Sequence, residues 1–203
     1  LYRRTAYFLH WSGFVAFMLG AEPWVDFTLA NRTLLFDLQR ETWSDELLDW
    51  AGLDADKLPP TVPSGTVIGA VSGGVAAELG MPPGIPIVSG GHDQCCNALG
   101  CGVVEPGRAM YGMGTYLCAV PVFTRRPDAE VMIARGLNTE HHAVPGHFVS
   151  FIYNQGGIVV KWFRDTFARL ERDQMRASGE DIYAALLAEI PDEPARVMVL
   201  PHF

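Results

Sequence analysis

Apolar residues dominate the opening stretch, with Tyr7-Phe8-Leu9 and then Phe14-Val15-Ala16-Phe17-Met18-Leu19. The pattern predicts a packed helix over residues 2–19, ended by Gly20, which suits the turn past a helix. Residues 26–32 read as a polar turn and 33–37 as a short extended segment. Ser44 predicts the cap of a helix over 45–51, with Asp45 and Glu46 in its first turn and Gly52 as its stop. Residues 66–71 predict a strand, and 72–79 a helix halted by Gly80. Ile85-Pro86-Ile87-Val88-Ser89 is an almost unbroken apolar run, which predicts a strand buried on both faces. A helix carrying Cys95-Cys96-Asn97-Ala98-Leu99 follows Asp93.

The character changes after Pro106-Gly107. Residues 108–113 and 116–122 predict two strands joined through Gly114-Thr115. Further strands are expected at 131–135, 148–153 and 196–200, with helices at 156–170 and 180–189. Alternating helices and strands place the chain in the α/β class. No internal repeat or low-complexity tract is visible.

Composition narrows the function classes. The 203 residues are 49% hydrophobic, enough for a proper core in one domain or two small ones. Lys+Arg 15 against Asp+Glu 23 gives a net charge of −8. That balance offers no support for nucleic acid or an anionic membrane as partner. The apolar run near the start spans only about ten residues, too short to cross a bilayer, and no cleavage site for a leader is clear. Cys95, Cys96 and Cys101 cluster and Cys118 follows. Their spacing suits neither a disulfide scaffold nor a zinc site. They read as reduced, small buried hydrophobes, and imply a cytoplasmic protein. The chain starts without Met and ends on an apolar run, so both ends are expected to be cut from a longer protein.

Three turns carry candidate chemistry. Gly90-Gly91-His92-Asp93-Gln94 sets an acid after an apolar strand. The glycines let a ligand approach, and the strand's carboxyl end is where open α/β sheets bind ligands. Asp93 is the candidate general base, although a plain helix cap is the competing reading. Gln94 can donate to and accept from a hydroxyl. Gly112-Met113-Gly114-Thr115 offers backbone N–H groups and a hydroxyl as a phosphate cradle, or else is a bare hairpin turn. Asn154-Gln155-Gly156-Gly157 precedes a helix, where the amides and the dipole favour an anion. His141, His142 and His147 read as a surface loop, and Trp162 with Phe163 as core.

Taken in order, these pieces resemble the FGGY family of carbohydrate kinases. The similar segments are residues 26–37 (Asp-Phe-Thr-Leu-Ala-Asn-Arg-Thr-Leu-Leu-Phe-Asp), 43–48, 86–94, 106–115 and 156–165. The resemblance implies a partial ribonuclease H-like, actin-like two-domain kinase fold. Residues 1–106 would end the first, sugar-binding domain, and 107–203 would begin the second, nucleotide-binding domain. It implies ATP with Mg²⁺ and phosphorylation of a hydroxyl of a sugar, sugar acid or polyol. Asp93 would be the base, with His92 and Gln94 on the substrate. Gly114, Thr115, Gly157 and Lys161 would face the nucleotide, and no residue here is assigned to metal. The family's N-terminal phosphate loop and later adenine-binding segment are absent, so the segment alone is expected to be inactive. A non-catalytic sugar- or nucleotide-binding regulator on the same scaffold is the alternative, and homo-oligomer formation is left open.

Overall fold

The structure, a computed structural model, describes residues 1–198. In chain order it contains α1 (Trp11–Leu19), β1 (Val25–Asp26), α2 (Phe27–Asn31), β2 (Phe36–Asp37), β3 (Thr42–Trp43), α3 (Asp45–Ala51), β4 (Thr61–Val62) and β5 (Val67–Ala70). Then come α4 (Gly73–Leu79), β6 (Pro86–Val88), α5 (Asp93–Gly100), β7 (Ala109–Met113), β8 (Tyr116–Phe123), α6 (Ala129–Ala134), β9 (Glu140–His141) and β10 (Phe148–Val149). The last elements are β11 (Ile152–Gln155), α7 (Gly157–Thr166), α8 (Arg169–Ser178) and α9 (Ile182–Ala188). The chain forms two compact units. One comprises Leu1–Met110 and Ala119–Phe151, and the other Tyr111–Cys118 with the residues from Ile152 onward.

The first unit is built from short strands and capped helices. β1 pairs in parallel with β4, Asp26 lying opposite Val62. Val25, Phe27, Ala30 and Phe36 form one buried cluster. Ala21, Val71, Ala76 and Ile87 form a second, below the antiparallel ribbon of β5 and β6. A Cβ on Gly69 would stand 2.7 Å from the Ala21 Cα, so only glycine lets β5 lie this close. Farther along, the end of β8 pairs with β10, Val122 opposite Val149, and β10 pairs with β9.

Sequence signals placed α3 and α4 correctly. Ser44 and Ser72 accept the amides of Leu47 and Val75, and Gly52 and Gly80 close the helices in the left-handed conformation. Several expectations differ from the structure. The expected helix over 2–19 is broken: a single 3-10 turn at Tyr2–Arg4 is followed by α1 only from Trp11. Phe8 N–H bonds the Lys57 carbonyl and the Lys57 ammonium bonds the Thr5 carbonyl, so the preceding segment is tied to another turn. β6 is buried only at Ile87, because among the described residues it pairs with β5 alone and its side chains alternate. Residues 131–135 belong to α6, where Asp128 caps the Val131 amide and overrides the β-branched side chains. Residues 156–170 hold α7 and the start of α8 rather than one helix. The strand expected at 196–200 lies partly outside the described residues.

His141 and His142 are buried rather than on a surface loop. The His141 ring is packed by Phe27, Phe36 and Phe148. His142 Nδ1 accepts the Ala143 amide and its Nε2 faces the Val103 carbonyl at 3.0 Å, which fixes the hydrogen on Nε2. Burial pushes the His142 pKa down, against the Val103 bond and with the charge of His147. Burial also lowers His92 and His141. A folded-state pKa below the ordinary histidine value means the folded chain binds fewer protons than the unfolded one. Stability is then full above about pH 6.5 and falls as the pH drops below it. Urea midpoints measured at about pH 7.5 and 5.5 are expected to show this loss. His142→Gln, which keeps a donor and an acceptor, is expected to lessen it. A flat wild-type profile would contradict the assignment.

The second unit contains the hairpin tip of β7 and β8, then β11 and the three last helices. Asp165 ties α7 to α8: Lys161 reaches it at 2.8 Å, Arg164 at 2.8 Å and Arg172 at 3.5 Å. The guanidinium of Arg164, then the Lys161 ammonium, hold the Asp165 carboxyl well below the usual carboxylate range. An apolar groove lined by Val160, Phe163, Leu186, Leu187 and Ile190 runs along α7 and α9.

Candidate functional site

The acid turn lies wholly in the first unit. Ser89 anchors its start, since the Ser89 hydroxyl donates to the Pro63 carbonyl (2.9 Å) and accepts the Thr66 amide (3.0 Å). Gly90 has open space where a side chain would stand. A Cβ on Gly91 would meet Thr28 Oγ1 at 3.1 Å, Ser64 Oγ at 3.2 Å and Cys96 Sγ at 3.4 Å. The two glycines thus differ in purpose: Gly90 keeps the surface open, and Gly91 lets the turn settle against α2.

His92 occupies the cap position of α5, yet its side chain makes no cap bond. Asp93 is the first helical residue, with a side chain 81% exposed. Its Oδ1 accepts only the amide of Gln94, at 2.7 Å, and lies 3.3 Å from His92 Nε2. Asp93 is thus not the cap residue of α5, although its carboxylate still bonds one of the helix's first amides. The His92 ring meets Phe151 edge-on at 5.1 Å. Burial lowers the His92 pKa, against the pull of Asp93, so the ring is neutral at neutral pH. Gln94 Oε1 and His92 Nδ1 are buried without hydrogen-bond partners among the described residues.

A buried polar group beneath the turn escaped sequence reading. Asp26 is 4% exposed and caps α2, its Oδ1 accepting the amides of Thr28 (3.0 Å) and Leu29 (3.2 Å) and the Thr28 hydroxyl. Burial raises the Asp26 carboxyl pKa, against the hydrogen bond from the Thr28 side chain and those from the backbone. Thr28 Oγ1 in turn accepts the His92 amide at 2.6 Å. Residues 26–32 therefore form a strand end and a helix rather than a polar turn. The available signal was Asp followed two residues later by Thr, a capping pattern.

Helical period separates Cys95 from Cys96 on α5. Cys95 and Cys118 are buried, as expected, but Cys96 and Cys101 are exposed. Burial pushes the Cys95 thiol far up, which makes it an unreactive packing residue.

The other candidate residues lie in the second unit. Gly114, Thr115 and Gly157 are brought together, and Gly157 N–H bonds the Gly114 carbonyl at 2.9 Å. Gly156 and Ile158 give their amides to the Thr115 carbonyl at 3.2 and 3.1 Å. The α7 amides expected to face an anion are thus spent on the hairpin. A Cβ on Gly156 would come within 2.7 Å of the Leu117 side chain, which explains the glycine in packing terms. What the tip can still offer an anion is the Thr115 hydroxyl and N–H. Lys161, two-thirds exposed, is paired with Asp165. Asp93, Gln94 and His92 thus belong to one unit, and Gly114, Thr115, Gly157 and Lys161 to the other.

Residues 1–100, which carry this acid turn, match the profile of the FGGY family of carbohydrate kinases, N-terminal domain. The chain belongs to that family. It is 34% identical to the autoinducer-2 kinase of Enterobacter sp. (strain 638) over 193 residues, 92% of this chain and 35% of that protein. It is also 34% identical to the autoinducer-2 kinase of Escherichia coli (strain ATCC 8739 / DSM 1576 / NBRC 3972 / NCIMB 8545 / WDCM 00012 / Crooks) over 214 residues, all of this chain and 38% of the relative. The chain therefore spans little more than a third of the length of the curated relatives it matches. Among solved structures, xylulose kinase from Rhodospirillum rubrum superposes with a TM-score of 0.72 at 25% identity, over 88% of this chain and 35% of that one. A ligand-bound xylulose kinase from Lactobacillus acidophilus gives 0.73 at 22% identity, over 89% and 34%. The FGGY segment is thus a partial α/β piece of the actin-like, ribonuclease H-like fold. Among the described residues no helix is long and apolar enough to cross a membrane.

Proposed function

We propose that the full-length protein carrying this FGGY segment transfers the γ-phosphate of ATP to a hydroxyl of a sugar, sugar acid or polyol. The observation that carries the reading is the Asp93 carboxylate: exposed, outside the cap position of α5, on a turn opened by Gly90. Residues 1–106 are assigned to the end of the sugar-binding domain and 107–203 to the start of the nucleotide-binding domain.

In this reading Asp93 takes the proton of the attacking hydroxyl, and its Oδ2, which has no hydrogen-bond partner among the described residues, is the accepting atom. Gln94 and His92 flank the hydroxyl. The neutral His92 ring stands 3.3 Å from Oδ1. Thr115 offers its hydroxyl and N–H to the phosphates. Gly114 and Gly157 keep that corner free of side chains, and Lys161 lines the approach. ATP would supply the phosphoryl group, and Mg²⁺ bound with it would offset the charge that builds there. Mg²⁺ would come with the nucleotide, and no residue of this segment is assigned to hold it. A cytoplasmic location is part of this reading, in keeping with the free cysteines.

The test is ADP release by the full-length protein with ATP and a panel of acceptors. The panel includes autoinducer-2, xylulose, gluconate and glycerol, the names borne by related kinases. Acceptor-dependent ADP release with one member is expected. Binding of an acceptor without turnover across the panel would overturn the kinase reading.

A further inference from the structure

We propose that the Thr28 hydroxyl, backed by the buried Asp26 carboxylate, positions the base by gripping the amide of His92. The inference rests on the reading of Asp93 as the base. Thr28 is fully buried. A threonine hydroxyl has one hydrogen and two lone pairs. Here the hydrogen goes to Asp26 Oδ1, so the oxygen facing the turn can only accept. What it accepts is the His92 N–H, at 2.6 Å.

That amide is the one that matters for the turn. His92 is the cap residue of α5 and Asp93 is the next residue, so fixing the His92 backbone fixes where the helix begins and where the carboxylate stands. The side chains near Asp93 do little of this work, since its carboxylate bonds only the neighbouring amide. Two further observations support a built contact. Gly91 approaches so closely that a Cβ there would crowd the same Thr28 oxygen. Asp26 is itself immobilised by the amides of Thr28 and Leu29. The chain of bonds runs from the α2 cap to the α5 cap across 64 residues of sequence. Hydrogen bonds linked in series and shielded from water reinforce one another, so the turn is held more firmly than by one isolated bond.

The test uses the full-length protein with its best acceptor. Thr28→Val keeps the shape but leaves the His92 amide and the Asp26 carboxylate without their shared partner. A small shift of the base is expected to lower kcat by about 10²-fold. KM for ATP is expected to stay unchanged, because the proposed nucleotide contacts lie in the other unit. Thr28→Ser restores the hydroxyl and is expected to recover most of the loss. Asp26→Asn, which keeps an acceptor but removes the charge, is expected to lower kcat by about tenfold, the value of a charge-assisted bond made ordinary. Thermal melts of each variant identify the folded fraction. A folded Thr28→Val enzyme with kcat within threefold of wild type overturns the proposal, as does Thr28→Ser being as impaired as Thr28→Val. If Thr28→Val does not fold, a normal kcat for Asp26→Asn overturns it instead. Asp93→Asn runs alongside. An active Asp93→Asn enzyme removes the base reading itself, whereas an inactive one beside a normal Thr28→Val removes only the positioning role.

Discussion

Asp93→Asn in the full-length protein is expected to lower kcat by about 10²–10⁴-fold, the usual loss when a positioned general base is removed. The amide has the shape of the carboxylate but cannot take the hydroxyl proton at neutral pH. Phosphoryl transfer passes through a loose transition state, in which the nucleophile's proton leaves late, and this favours the lower end of the range. The fold should be indifferent. Asp93 is exposed, and the residue at the cap of α5 is His92. A surface exchange of this kind changes stability by no more than about 0.5 kcal/mol. ATP affinity should also persist. The measurement is steady-state kinetics with the cognate acceptor beside a thermal melt of the same sample. A near-normal kcat with an unchanged melt would leave Asp93 as an ordinary surface acid.

The second large effect concerns stability. Arg32 bonds Glu140 at 2.6 Å, and Glu140 is buried. Glu140 Oε1 also accepts from Asn138 at 2.6 Å, while its Oε2 has no hydrogen-bond partner among the described residues. Arg32→Ala strips a buried carboxylate of its counter-charge and is expected to cost about 2–3 kcal/mol. Arg32 also lies over the Phe151 ring, so some of the loss is packing. Arg32→Ala combined with Glu140→Gln should recover part of it, because the charge that needed pairing is gone. Urea unfolding of both variants checks this. Equal losses for the single and the double variant would show that the pair contributes nothing beyond its contacts.

Local chemistry made part of this protein readable from its residues. Ser44 with Gly52 and Ser72 with Gly80 bracket α3 and α4 because a cap and a left-handed stop act within a few residues. The acid turn was legible for the same reason: two glycines, an acid and a helix start are neighbours in sequence. What could not be read depends on distant partners. Asp26 reads as a polar turn until the Thr28 hydroxyl is seen to meet an amide 64 residues on. His141 reads as loop until Phe27, Phe36 and Phe148 enclose it. The α7 amides read as an anion site until the carbonyls of Gly114 and Thr115 are seen to claim them. β6 reads as doubly covered because an apolar run does not say how many strands lie beside it.

The first unit closes on itself only after an interruption. Residues 111–118 belong elsewhere, and Ala119–Phe151 then rejoins what came before. During synthesis, α2 emerges long before the strand that holds Glu140 and His141. Arg32 must wait 108 residues for its carboxylate, and Asn31 waits 110 for His141. At about 5–20 residues per second, the ribosome needs several seconds to cover that gap. Until then the nascent chain carries Phe27 and Phe36 without the His141 ring that packs on both. That interval is when a chaperone would have most reason to hold it.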